Sequence, residues 1–458
     1  MNFGKCLVDK LLQHKNKAAL INGTTGEVIT YNELAHKILS VASSLIQRGV
    51  QEGDIVAICS ENRIEYLITQ IAVYYVGAVI TFINIAYTKD EVIHAANITK
   101  PKYCFISPNA YKLHYNTLKE FCPNVFIYTK TTENGVSFNE LVSGRLLNNL
   151  TPADHQGKVK TSLILYSSGT TGLPKGARIT NLNLITTLYQ QQLTTRDLPV
   201  LTVAPWCNTM GVLTLTDGLS FGRTIIFLER FDENIYLQVI QKYKVGILMI
   251  APPTLIVMSK SPNVDKYDVS SVELMHSGGA PLDSDVVDVE TRNILGPNKP
   301  GEVCVKGLSL FDGYVGKERG DDYDEDGYFK TGDVAYYDEE GYFFIVDRIK
   351  ELIKYKAWQV SPSELESILL LHPSVKDCGV IGIPDSTAGE LPTAFIVKKD
   401  GSSVTEKEIV DFVTTKVSPW KRLRGGVIFI EEIPKTGSGK ILRRNLRAMV
   451  KNTPKSKL

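Results

Sequence analysis

The chain has almost no net charge. Its 51 Lys and Arg residues are set against 50 Asp and Glu, a formal balance of +1. Phosphate backbones are bound by a basic surplus, so this balance argues against nucleic acid as a partner. Cysteine is scarce and solitary: seven residues, with no Cys-x-x-Cys pair. An odd, scattered set gives no disulfide framework and points to a reducing compartment. The opening residues MNFGK lead into no apolar core, so no secretory signal is expected. Nor is there a Walker-type phosphate loop. The pattern Gly-x-x-x-x-Gly-Lys-Ser/Thr fails at Lys175. It fails again at Lys440, where Pro434 replaces the first Gly and Ile441 the hydroxyl. A P-loop kinase or ATPase is thereby disfavoured. Internal repeats and low-complexity segments are absent as well.

One uncharged run is long. Tyr66 to Thr88, YLITQIAVYYVGAVITFINIAYT, could cross a bilayer core of roughly 30 Å. Gln70, Gly77 and Asn84 interrupt it, and the part after Gly77 is rich in β-branched residues and Phe. The reading is a buried helix, a break and a buried strand, with no transmembrane span.

What is present fits a large soluble protein. The 458 residues correspond to about three domain-sized units, and a hydrophobic fraction of 43% is ordinary. Thr30 with Glu33 forms a capping box ahead of Leu34, Ile38, Val41 and Leu45, with Gly49 as the stop. Asp54-Ile-Val-Ala-Ile-Cys59 reads as a buried strand. The alternation continues to about residue 250, as in an α/β fold with largely parallel sheets. From Gly301 the texture changes to short strands with Gly turns, GEVCVKG, GYFKTGD and GYFFIVDR, read as a small β-barrel. A small α+β segment follows. Its helix start, Ser361-Pro362-Ser363-Glu364, combines a cap, a first-turn Pro and an acidic third position. The domain boundary is expected near Asp347 to Lys350, giving 1–347 and 348–455. The last three residues, Ser456-Lys457-Leu458, match the address read by the peroxisomal import receptor.

Chemistry concentrates in a few runs. Tyr166 to Gly176 is YSSGTTGLPKG, directly after the apolar SLILY. Its hydroxyls, glycines and backbone N–H groups let a phosphate chain approach closely, and Lys175 adds a point charge. Thr331-Gly332-Asp333 lies between two strand-like runs, where an Asp at a Gly turn can accept from sugar hydroxyls. Asp347-Arg348 ends the next strand. Lys440 sits in IPKTGSGKILRR, a Gly-rich loop beside a basic cluster. Each of these alone is compatible with an ordinary turn, a surface ion pair or a solvated tail.

In order, YSSGTTGLPKG, SGGAPL, TGD, DRIKELIKYK and PKTGSGK resemble the adenylate-forming superfamily of acyl-CoA synthetases, 4-coumarate–CoA ligases, beetle luciferases and peptide-synthetase adenylation domains. The resemblance runs from about residue 20 to 450 and is greatest to the 4-coumarate–CoA ligase and luciferase branch. It implies a large N-terminal domain of βα layers and a small mobile C-terminal domain. It implies ATP, Mg²⁺ and CoA, and a small carboxylic acid, fatty or aromatic, as the substrate. The acid would attack the α-phosphate of ATP, giving an acyl-adenylate and pyrophosphate, and CoA would then displace AMP. Ser167, Ser168, Gly169, Thr170, Thr171, Gly172 and Lys175 match the family's phosphate loop. Gly279, Ala280 and Pro281 match its adenine-side turn, and Asp333 and Arg348 its ribose contacts. Lys440 matches the lysine that bridges carboxylate and α-phosphate. Lys350 matches the hinge of the small domain, and Lys354 to Trp358 the loop facing CoA. Thr170, Lys175, Lys354 and Lys440 are the residues expected to carry the chemistry.

The chain departs from that pattern at HSGGAPLDSDVVDVETRNILG, residues 276 to 296. Leu282 to Asp285 looks like a helix start, yet strand-like alternation follows at once. The family places a helix, a strand and a Gly-Tyr-Gly-x-Thr-Glu run here, whose aromatic stacks on adenine and whose Glu holds Mg²⁺. No Gly-Tyr-x-x-Thr-Glu occurs in the 458 residues. Several tens of residues are read as missing between Asp285 and Val286, and no metal ligand is assigned. Glu290-Thr291, reversed in order and in a surface-hairpin context, is not a substitute. Two readings follow: an acid–CoA ligase by lineage, or an impaired form that binds nucleotide, CoA or a partner without turnover. Smaller departures are Asn208 in PWCNTMG, beside the acyl pocket, and Ala357, where Gly is usual.

Overall fold

The computed structural model describes all residues except 130–134, 145, 156–158, 168–173, 190–195, 251–253, 255–257, 259–260, 277–283, 288–294, 318–319, 321, 349–350, 357, 418, 436–440 and 452–458. The chain divides into two compact units, Met1–Pro281 with Gly307–Asp321, and Leu282–Lys306 with Asp322–Leu458.

The first unit holds two sheets. Seven strands run in the order Val136–Ser137, Asn124–Ile127, Tyr103–Ile106, Ile55–Cys59, Val79–Phe82, Thr161–Ser167 and Lys175–Thr180. All neighbours are parallel except the last pair, a hairpin. Six strands run Leu274–His276, Ile247–Met249, Val200–Thr202, Ile225–Phe227, Ala18–Asn22 and Val28–Thr30, again parallel except for the last pair. Continuous apolar strands such as IVAIC are what a sheet covered on both faces requires. A chain of aromatic rings fills the core between the sheets. Tyr66 stacks on Phe82 at 5.2 Å, meets Trp206 edge-on at 5.7 Å, and Trp206 meets Phe227 at 5.0 Å.

The capping box at Thr30 and Glu33 starts the helix Tyr31–Gln47. The long uncharged run is a buried helix, Ile64–Tyr75, then the buried strand Val79–Phe82. Between them Gly77 adopts φ +77°, and a Cβ there would lie 2.5 Å from the Cβ of Ala153, so both the conformation and the space call for glycine. Among the described residues no helix is long and apolar enough to cross a membrane.

The second unit carries an antiparallel sheet in the order Ser284–Val287, Gly301–Val305, Phe329–Tyr337 and Phe343–Arg348. This is the block read as a small barrel. A second sheet pairs Trp358–Val360, Ile353–Tyr355, Gly389–Lys398 and Val375–Asp385 in that order, with Val427–Phe429 parallel to Gly389–Lys398. The helix Pro362–Leu370 starts as read, with the Ser361 hydroxyl accepting from the Glu364 N–H. One expectation is corrected. Ser284 and Asp285 do not begin a helix but open the strand Ser284–Val287, whose residues pair one for one with Glu302–Val305. A partner strand with unfilled ladder positions outweighs the local helix signal, and the following Val286 and Val287 favour extended backbone. Leu282, Asp283 and Glu290-Thr291 lie outside the described residues.

The last strand of the six-stranded sheet, Leu274–His276, is an edge, paired only with Ile247–Met249 among the described residues. Its central Met275 is 57% exposed.

Candidate nucleotide site

The run SLILYS forms the strand Thr161–Ser167, and Lys175 opens its antiparallel partner. Ser167 and Lys175 face each other in register, so the intervening residues leave and re-enter at one point. That point is the C-terminal end of parallel strands, where open α/β sheets place their ligand loops. Of the residues matched to the phosphate loop, Ser168, Gly169, Thr170, Thr171 and Gly172 lie outside the described residues. Ser167 is placed by its backbone, and Lys175 is placed in full.

Both stems of this loop are gripped. The Tyr166 hydroxyl donates to the Ala95 carbonyl at 2.9 Å and lies 3.0 Å from the Thr99 hydroxyl and 3.2 Å from that of Thr81. Burial pushes its ionisation upward, so it stays a neutral anchor. Beyond the loop, His94 Nε2 bonds the Pro174 carbonyl at 2.8 Å. On the other side, Asp312–Val315 runs along the strand Lys175–Thr180. The Val315 N–H donates to Gly176 O at 2.8 Å, and Tyr314 bridges Ala177. The Lys175 ammonium sits over the Tyr314 ring, 5.1 Å from its centre. This orients a cation beside the loop without neutralising it.

The SGGAPL turn follows the strand Leu274–His276, also at its C-terminal end. Gly279, Ala280 and Pro281 lie outside the described residues. Two strands along the same sheet, PWCNTMG follows the strand Val200–Thr202. Asn208, read as an acyl-pocket residue, caps the helix Thr209–Ser220: its side-chain oxygen accepts the Gly211 N–H at 2.9 Å. Burial raises the Cys207 thiol to about 11, so it is not a ready nucleophile. The loop is held by Asn62, whose amide donates to the carbonyls of Ala204 at 3.0 Å and Leu228 at 3.2 Å and accepts the Trp206 N–H at 2.9 Å.

In the second unit, Asp333 and Arg348 are register partners on adjacent strands, which brings the two expected ribose contacts together. Thr331-Gly332-Asp333, read as a turn between two strands, instead lies inside the strand Phe329–Tyr337, where the pairing with Gly301–Val305 shifts register between Glu302 and Cys304. Gly332 has φ +73° and its N–H donates to Glu302 Oε1 at 3.0 Å. The Thr331 hydroxyl donates to Val303 O at 2.7 Å while accepting the Asp333 N–H at 3.0 Å. Lys354 is exposed, with its backbone N–H held by Glu390 Oε2 at 2.8 Å. Ala357 and Lys350 lie outside the described residues. The left-handed non-glycine residue described in that loop is Lys356, at φ +52°.

Lys440 also lies outside the described residues, but the ends of its loop are fixed. Lys435 and Ile441 form an antiparallel bridge, and Leu442 N–H donates to Pro434 O at 2.8 Å. In the basic cluster that follows, Arg444 is exposed but Arg443 is buried. Arg443, with its side chain 8% exposed, grips Glu366 through two bonds of 2.8 and 2.9 Å and Glu351 through one of 2.8 Å. Its Nε donates to Val380 O at 3.2 Å. Glu351 directly follows Lys350.

Sequence reading passed over His94, Thr99, Asn62 and Tyr314. A signal existed for the first two: Thr88 and Glu91 form a capping box ahead of a face bearing Ala95 and Thr99. For Tyr314, the run GYVGKE from Gly313 to Glu318 shares the Gly-Tyr start and Glu spacing of the sought motif, with Lys317 where Thr would stand. Among the described residues no three His, Cys, Asp or Glu groups are clustered to hold a metal.

Comparison with known proteins agrees with this geometry. The chain is similar to a luciferin 4-monooxygenase of Nipponoluciola cruciata, 34% identical over 501 positions, covering 94% of this chain and 91% of the relative. It is similar to 4-coumarate–CoA ligase CCL1 of Humulus lupulus, 32% identical over 522 positions, covering 96% and 92%. Among solved structures it resembles ATP-bound MatB from Rhodopseudomonas palustris, with a TM-score of 0.88, 26% identity and 99% of each chain covered. The family described as AMP-binding enzyme matches residues 8–287 and its C-terminal domain matches residues 364–440; the chain belongs to this family of adenylate-forming enzymes.

Proposed function

We propose that this protein is by lineage an acid–CoA ligase for a fatty or aromatic acid. The observation that carries the reading is the hairpin at Ser167 and Lys175, which offers a hydroxyl- and glycine-rich loop at the C-terminal edge of a parallel sheet. In the first step the carboxylate attacks the α-phosphate of ATP and pyrophosphate leaves. Thr170, Thr171 and Lys175 would hold the phosphates, and Lys440 would bridge carboxylate and α-phosphate. Asp333 and Arg348 would hold the ribose, and Gly279, Ala280 and Pro281 would line the adenine. In the second step the CoA thiol displaces AMP past Lys354, after the small domain turns about Lys350. The contribution of these groups is positioning and stabilisation of charge on phosphate oxygens. Mg²⁺ bound to ATP would take much of its coordination from phosphate and water.

A specific observation favours the second reading, a form that binds without turnover. Alignment to the luciferin relative spans 501 positions, more than the whole 458-residue chain, so tens of the relative's positions have no counterpart here. The first family match stops at residue 287, next to the proposed junction at Asp285 and Val286. This supports loss of the Gly-Tyr-Gly-x-Thr-Glu segment. Removing one preorganised group of that kind costs about a hundred- to thousandfold in rate.

The deciding experiment is carboxylate-dependent ATP–pyrophosphate exchange on the purified chain with medium-chain, long-chain and cinnamic acids. Exchange that disappears in Lys440→Ala establishes the ligase. A folded protein that binds ATP without exchange establishes the second reading, and a chain that binds no nucleotide sinks both. Ser456-Lys457-Leu458 supports peroxisomal import; a fusion carrying this ending that stays in the cytosol would overturn that.

A further inference from the structure

We infer that the strand Phe343–Arg348 is a docking edge for a second copy of this chain, paired antiparallel about Phe344. In the four-stranded sheet of the second unit this strand comes last. It is bonded on one side to Phe329–Tyr337 and, among the described residues, to nothing on the other. Edge strands are usually guarded by charge, by proline or by a covering element. The long edge strand of the unit's other sheet, Val375–Asp385, carries Lys376, Asp377 and Pro384. From Tyr342 to Val346 the sequence is YFFIV, with no charge and no proline. Tyr342, Phe343, Phe344 and Ile345 are 64%, 42%, 43% and 65% exposed. Successive residues of a strand point to opposite faces, so both faces of this stretch are open. A contiguous apolar surface on an unguarded edge marks an interaction site.

The backbone sets the alignment. The Asp338 N–H donates to Tyr342 O at 3.1 Å across the hairpin turn. Tyr342 and, by alternation, Phe344 therefore turn their peptide groups toward Phe329–Tyr337, and Phe343 and Ile345 turn theirs to the free side. Beyond them the ladder is interrupted. Ile345 pairs with Ala335 and Asp347 with Val334, leaving Val346 as a bulge. The regular free stretch is bounded by the turn at Gly341 and this bulge, and its centre is Phe344. A twofold axis there sets Phe343 of each copy opposite Ile345 of the other, so that the free N–H and C=O groups of both are satisfied. The two Phe344 residues face each other as a pair without mutual hydrogen bonds, where side chains approach most closely. Each already stacks on Tyr336, with ring centres 5.0 Å apart, so four aromatic rings line up across the seam. Charge agrees with this direction. Asp338, Glu339 and Glu340 stand at one end of the stretch and Arg348 at the other. Antiparallel pairing brings the acidic turn of one copy beside Arg348 of the other, whereas parallel pairing would set acid against acid.

The test uses the full chain in sedimentation velocity over a range of concentrations. The parent is expected to dimerise reversibly. Ile345→Lys is expected to weaken the dimer about a hundredfold, because each copy would place an ammonium on an apolar seam. Glu339→Lys combined with Glu340→Lys should weaken it about threefold, and less at high salt. The alignment is read by disulfide trapping, with dioxygen and copper phenanthroline as the oxidant. Phe344→Cys should link to its own counterpart. Phe343→Cys, which stands opposite Ile345, should not exceed the background of the parent, whose own cysteines are free. Equal dimerisation of the parent and Ile345→Lys, or equal trapping at 343 and 344, would overturn the proposal. So would a parent that stays monomeric throughout; protection of its Phe343 and Ile345 amides from hydrogen exchange would then show that another part of the same chain covers the edge. Should Ile345→Lys fail to fold, Tyr342→Lys places the same charge beside the seam on a residue outside the strand, and the trapping result still decides.

Discussion

Residues 168–173 and 436–440 are both glycine-rich loops beside a lysine, and they are anchored by different chemistry. The first re-enters between Ser167 and Lys175, and its stems are held by separate hydrogen bonds through a tyrosine hydroxyl, a threonine hydroxyl, an imidazole and peptide carbonyls. The second re-enters between Lys435 and Ile441, and the residue that fixes its far side is a buried guanidinium between two carboxylates. Separate hydrogen bonds each contribute little and fail one at a time. A buried ion cluster is all or none, because removing one member leaves unpaired charge in a poorly solvated place. The residues flanking 168–173 are thus held by separable contacts, and those after 436–440 by one ion cluster.

The sharpest way to break this contrast is Arg443→Met. It leaves Glu351 and Glu366 facing each other without a cation and is expected to cost about 3–5 kcal/mol, read from the denaturant midpoint of the second unit. Arg443→Lys should recover only part, since one ammonium cannot replace three nitrogens that reach Glu366, Glu351 and the Val380 carbonyl separately. A small loss in Arg443→Met would mean the cluster does not hold the loop. Next in size is Tyr166→Phe, expected to cost about 1 kcal/mol in the first unit. A loss as large as that of Arg443→Met would erase the distinction between the loops. Smallest is Lys435→Ala, which removes a partly exposed pair with Asp377 at 2.6 Å. It should change stability by about 0.5 kcal/mol, and a larger effect would show that the pinning is spread along the loop.

What could be read from the sequence was what local rules govern. The capping box at Thr30, the break at Gly77, the Ser361-Pro362 start and the alternation of apolar strands depend on neighbours a few residues away. The phosphate loop was legible because its composition is useless to a core. Contacts across the chain were not legible. His94 meets Pro174 across 80 positions, and Arg443 meets Glu351 and Glu366 across 92 and 77. No spacing rule joins them. Arg443 therefore looked like part of a solvated basic run, although its neighbourhood is buried. Asn208 shows a local signal left unread: an asparagine before a helix describes a cap by its residue type alone. At Ser284 and Asp285 the local helix signal yielded to the partner strand Gly301–Val305.

The edge strand Leu274–His276 takes its register wholly from Ile247–Met249 on one side: Leu274 opposite Ile247, His276 opposite Met249. Nothing on its free side is needed to set that alignment. The sheet is therefore a finished foundation with a vacant berth. Among the described residues no strand occupies that side, so one more strand could pair there without disturbing the six already in place. An insertion after residue 285 is a different matter, because it would part Asp285 from Val286 in a ladder already made with Cys304 and Val303.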